Sequence, residues 1–132
     1  MKTSKKTTII ALVVLLSVGG IFLANYLREL SAYKSVVETM QFSDVDIASI
    51  PDGTYIGESD AHFISVKAQV TVKDGVITSI DLLNHYNDRG AAAESIIDEM
   101  IEKQTTNVDA VSGATSSSKV IRKAVENALL GE

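Results

Sequence analysis

No cysteine occurs anywhere in the 132 residues. A lipidated-cysteine anchor, a structural disulfide, thiol redox chemistry and a cysteine-ligated metal or iron–sulfur site are thereby excluded. Histidine is nearly as scarce. His62 and His85 are the two present, and neither belongs to an H-x-x-x-H or similar ligand pattern; both are expected as loop or core side chains, not as metal ligands. The phosphate signatures of nucleotide enzymes are missing as well: G-x-x-x-x-G-K-[ST] needs a second glycine and a lysine, and no G-x-G-x-x-G occurs. No Ser-His-Asp arrangement can be argued, and the adjacent carboxylates Asp98 and Glu99 fall on the polar side of an expected helix.

Charge is absent from one long stretch. From Thr7 to Leu27 no residue is charged, and the run "TTIIALVVLLSVGGIFLANYL" is 21 residues long. As a helix it spans about 31 Å, the thickness of a bilayer's hydrocarbon core. A cleaved signal peptide has a shorter apolar region followed by small residues at a cleavage site. "GGIFLANYLREL" offers no A-x-A site, so an uncleaved transmembrane anchor is expected. Lys2, Lys5 and Lys6 precede the run, while Arg28 and Lys34 follow it with Glu29 among them. The bias places the N-terminus in the cytoplasm and the remainder outside. Setting those three lysines aside leaves nine basic residues against 17 acidic, a net of −8 beyond the span. Such a head repels nucleic acid and anionic lipid, which are poor partner choices.

What is present reads as four segments: a cytoplasmic N-terminus at 1–6, a transmembrane helix at 7–27, an amphipathic stalk and linker at 28–49, and one small domain at 50–132. Leu30, Tyr33, Val37 and Met40 recur at spacings of three and four, so the anchor helix is expected to continue outward. Its stripe can pack on its own domain or the membrane surface, or form a short dimer seam. Pro51, the single proline, and Gly53 mark the entrance to the domain. Val66, Ala68, Val70 and Val72 then alternate with Lys67, Gln69, Thr71 and Lys73, the pattern of a half-buried strand. Asp74-Gly75 signals a tight hairpin into "VITSIDLL", and "DGTYIGE" supplies a third strand. Ile96, Ile97, Met100 and Ile101 form a helical stripe, and Val120, Ile121, Ala124, Val125, Ala128 and Leu129 form another. Strands first and helices after predict an α+β domain: a small twisted antiparallel sheet covered by helices, preceded by one transmembrane helix.

The stretch "DAVSGATSSS", residues 109–118, enters the last helix. On one reading it is a decorated helix start, with Thr115 or Ser116 as N-cap and Ser112 and Asp109 ordering the preceding loop. On the other, the unpaired amides and partial positive charge of the helix N-terminus receive an anion, and Gly113 lets a phosphate approach without a Cβ in the way. Lys119, Arg122 and Lys123 either screen such a phosphate or are solvated helix charges.

"DAVSGATSS" resembles the D-x-x-[ST]-G-A-[ST] flavinylation motif of the FMN-binding domain family, which is related to the flavoprotein subunits C and G of the bacterial Nqr and Rnf complexes. "DGTYIGES", "VTVKDGVITSIDLLNH" and "VIRKAVENAL" extend the likeness over about residues 50–130. The resemblance implies FMN held covalently through a phosphoester on Thr115. Asp109, Ser112, Gly113 and Ala114 would then shape a loop recognised by a separate flavin transferase with FAD as donor, and Ser116 completes the candidate cofactor-binding set. It implies a membrane-anchored, extracytoplasmic electron carrier fed by a membrane electron-transfer complex or a quinone-linked donor. Where the family often reads H-x-E-T-x-G, this chain has "HYNDRG"; His85 and Gly90 align, but the Glu-Thr pair is replaced, so flavin-ring contacts are not carried over. Tyr55 and Tyr86 are expected to pack at the sheet edge rather than flank a flavin ring. Two other classes remain open: noncovalent binding of FMN or another phosphate ligand, and a cofactor-free interaction module at the membrane.

Overall fold

The computed structural model describes residues 4–86 and 91–132, with side chains described except at Tyr86 and Ala91. Its first element, α1 (Lys5–Thr39), is one unbroken 35-residue helix, started by Ser4, whose Oγ accepts from Lys6 N. Among the described residues it is the one helix long and apolar enough to cross a membrane. Ile9 through Leu27 are exposed and leave a largely apolar surface, with Tyr26 near its end meeting Phe63 of the domain. From Leu30 onward the opposite holds. Tyr33, Val36 and Met40 pack against the core and Val37 is part of it, so the stalk's apolar stripe is covered by its own domain.

Three strands follow: β1 (Gly53–Asp60), β2 (Ser65–Lys73) and β3 (Val76–Tyr86), antiparallel in the order β1-β2-β3. Tyr55 faces Val70 and Val70 faces Ile80, with register shifts at Lys67/Ala68 and Thr71/Val72. The expected hairpin is present. Asp74 and Gly75 take φ of 53° and 73°, the pair of positive values that a type I′ turn needs. The alternation places Val66, Ala68, Val70 and Val72 on one buried face, while Thr54, Ile56 and Glu58 face solvent.

Two further helices complete the α+β domain. α2 (Ile96–Lys103) buries Ile96 and Met100 and lies against β3. After it, Gln104 adopts φ of 52° and turns its amide onto the free edge of β3, accepting from Ile77 N (2.7 Å) and donating to Ile77 O (2.9 Å). A side chain thus occupies the hydrogen-bonding groups that a fourth strand would use. α3 (Thr115–Leu130) crosses β1 and β2 and buries Val120, Ile121, Ala124, Val125, Ala128 and Leu129 against them. Each of the valine, isoleucine and leucine side chains contributes about 1.5–3 kcal/mol through removal from water. The approach is close enough to require glycine at one point: a Cβ on Gly57 would stand 2.2 Å from both Ala124 O and Ala128 N.

The end of α1 and the linker between it and β1 are tied to α3. Ser43 N donates to Glu126 Oε2 (3.1 Å), Lys119 Nζ reaches Val37 O (3.4 Å), and the Arg122 guanidinium lies 4.3 Å above the Phe42 ring. Glu126 is fully buried, and Arg122 Nε donates to its Oε1 at 3.1 Å.

Candidate functional site

The loop entering α3 is built by backbone chemistry and one unexpected side chain. Ala114 N donates to Val111 O (2.9 Å), closing a turn in which Gly113 holds φ of 81°. A positive φ at the third turn position favours glycine. Ser118, buried, then staples the turn to the helix: its Oγ accepts from Val111 N (3.0 Å) and donates to Ala114 O (2.8 Å).

This geometry corrects the capping expectation. Ala114, not Thr115 or Ser116, occupies the N-cap position, and no side chain caps the helix. Ala114 O already accepts the first helical bond, from Ser118 N (3.0 Å). Thr115 is therefore the first helical residue, too far into the turn for its hydroxyl to reach the next amides as a cap does. Nor do Ser112 and Asp109 order the loop. Among the described residues neither side chain makes a hydrogen bond, both are exposed, and Ser118 does that work instead.

What the loop presents is consequently open. Among the described residues, the amides of Thr115, Ser116 and Ser117 meet no acceptor. Thr115 is exposed at the head of the helix, Ser116 is half-buried beside it, and a Cβ placed on Gly113 would meet nothing within 4 Å. Free amides, a positive dipole end and unobstructed backbone are what a phosphate requires at a helix N-terminus, and a hydroxyl stands among them. The residues present fit a phosphate-bearing group.

The basic residues farther along α3 are not the solvated charges expected. Arg122 is only 18% exposed and is held by Phe42 and Glu126, Lys119 reaches the end of α1, and Lys123 Nζ lies 4.0 Å from Glu126. Together with Val108, Asp109 and Ser118, the side chains of Phe42, Lys119 and Arg122 line a cleft of about 220 Å³, smaller than the ~300–1,000 Å³ of ordinary ligand pockets.

His85 is a nearly buried side chain on β3, 4% exposed, with Nδ1 2.8 Å from Glu94 Oε1. His62 is exposed in the turn after β1, with φ of 63°. Tyr55 is half-buried against the core and its hydroxyl donates to Pro51 O (2.6 Å), the edge packing expected. Gly90 and the rest of 87–90, and the Tyr86 side chain, lie outside the described residues. Among the described residues, no group of three or more His, Asp or Glu side chains is arranged to hold a metal.

A family model described as an FMN-binding domain matches residues 64–130, just over half of the chain and inclusive of the whole 109–118 loop. A protein of Treponema pallidum (strain Nichols), described only as uncharacterized, is 33% identical over 85 residues, 62% of this chain. The chain spans 24% of that relative's length. The family match begins at Ile64, yet β1 upstream of it completes the sheet and receives α3.

Proposed function

The chain belongs to the FMN-binding domain family, which makes it a flavin-binding protein, and on that premise we propose that it is a membrane-anchored electron carrier with FMN joined covalently to Thr115. The observation that carries the attachment site is the head of α3: an exposed threonine hydroxyl beside three amides without acceptors, reached over a glycine. Bound FMN supplies the redox chemistry, and the protein supplies the tether, the orientation and the local field.

A threonine hydroxyl is a weak nucleophile without a base, and Thr115 makes no hydrogen bond to one among the described residues. Activation therefore belongs to a separate flavin transferase. Thr115 Oγ1 attacks the flavin-side phosphorus of FAD, the bond from that phosphorus to the AMP oxygen breaks, AMP leaves, and the hydroxyl proton passes to the transferase. No redox change accompanies the step. The amides of Thr115, Ser116 and Ser117 would hold the phosphoester, and the helix dipole would offset the addition of an anion to an acidic domain. Ser112, Gly113 and Ala114 form the turn that the transferase would read, held from beneath by Ser118, with Asp109 exposed at its start.

On this reading α1 anchors the chain, with residues 28–132 outside the cytoplasm. Electrons arrive from a membrane electron-transfer complex or a quinone-linked donor. The test is intact mass of the chain co-expressed with a flavin transferase, followed by peptide mapping. A gain of FMN less one water on the peptide holding Thr115 is expected. A folded, coloured protein that releases its flavin on acid denaturation would replace the covalent reading with a noncovalent one.

A further inference from the structure

The turn joining β1 to β2 is built to project one aromatic ring. Ala61 N donates to Ile64 O and Phe63 N to Ala61 O, both at 2.8 Å, and Asp60 Oδ1 accepts from His62 N (2.9 Å). Ala61 and Ile64 are buried, which fixes the base of the turn, and His62 takes a left-handed φ of 63° at its tip. That backbone is strained for a residue with a Cβ. Its result is to place Phe63 against α1, where the ring meets Tyr33 edge-on at 5.5 Å and Tyr26 at 6.4 Å.

The position of Tyr26 gives this cluster its meaning. Tyr26 lies within the uncharged run, one residue before its end at Leu27, and remains 57% exposed. Seven residues of helix separate it from Tyr33, about 10 Å along the axis. Phe63 meets both rings and so stands between their levels, at the height along the helix where the uncharged run ends and the first charged residues follow. Tyrosine rings favour the interfacial layer of a bilayer, and Phe63 is packed between two of them.

We infer that the β1–β2 turn is a second membrane contact, with Phe63 seated among Tyr26 and Tyr33 in the interfacial layer of the bilayer that α1 crosses. The inference rests on the reading of α1 as a membrane anchor. The occupant is the neutral, carbonyl-rich region of the lipid surface, not anionic headgroups. The turn carries Asp60 and His62 but no lysine or arginine, and the nearest basic residue on β2, Lys67, is paired with Glu58 at 2.7 Å.

The chain contains no tryptophan, so a single introduced indole reports its own surroundings. Three flavin-free full-length variants, Phe63→Trp, Tyr26→Trp and Ile56→Trp, are placed in phosphatidylcholine vesicles with lipids brominated high on the acyl chains. Ile56 is 53% exposed on the outer face of β1 and serves as the water-facing control. Positions 63 and 26 are expected to emit at shorter wavelength and to lose most of their emission to bromine, while position 56 keeps its emission. Loss at 26 without loss at 63 overturns the second contact and leaves the anchor standing. No loss at either overturns the anchor, and the inference with it. Should Phe63→Trp disturb the fold, the unaltered chain answers the same question: nitroxide-bearing lipids should broaden the amide signals of residues 61–64, and unbroadened signals there would refute the contact.

Discussion

At Thr115 the distinction between a bound and a tethered flavin comes down to one oxygen. Thr115→Ala removes it while leaving the first turn of α3 helical, so the expected outcome is an unchanged melting temperature with no flavin fluorescence surviving SDS. Thr115→Ser retains the oxygen and should retain labelling. Gly113→Ala separates backbone from space: nothing within 4 Å obstructs a Cβ, but φ of 81° does, at a cost of about 1–2 kcal/mol. A modest fall in stability and slower flavin incorporation, followed by mass against time, are expected. The motif residues were legible in the sequence because the site is nearly contiguous, Asp109 to Ser116. Ser118 was not. Its role depends on the helix beginning at Thr115, which puts position 118 beneath the turn, and the expectation of a Thr115 or Ser116 cap set that phase later.

The elements show where period reveals structure and where it does not. Alternation in β2, the Asp74-Gly75 turn and the stripes of α2 and α3 are local patterns, and each formed as read. The ties between Ser43 and Glu126, Phe42 and Arg122, and Val37 and Lys119 join residues some 80 positions apart. Such contacts leave no periodic trace, so charges that look solvated in α3 hold the linker instead. Glu126→Gln should loosen that linker, and faster amide exchange at Ser43 would register it. Its stability cost is expected to be about 1–3 kcal/mol, below the range for a fully buried pair because Arg122 keeps some exposure. Gly57→Ala acts by collision: with backbone atoms 2.2 Å from the new Cβ, α3 must lift from β1. A loss of about 1–3 kcal/mol in denaturant unfolding is expected.

Over the whole molecule, one helix joins the apolar run to the domain without a break, and one contact from its last turn with two from the linker just beyond it clamp that end to α3. The sequence announced the long apolar helix and the stripe that continues it. It left open what the stripe meets, because a face with apolar residues at every third and fourth position suits a domain and a second helix equally. Inserting a flexible Gly-Ser segment between Met40 and Gln41 should leave labelling at Thr115 intact, since the loop and transferase motif are untouched. The same insertion should broaden the distribution of distances between a spin label on the domain and the bilayer surface. The clamp therefore sets an altitude. On the proposed topology, partners search for this carrier in two dimensions, and one whose redox group rides at another height above the bilayer stays out of range however often the two collide.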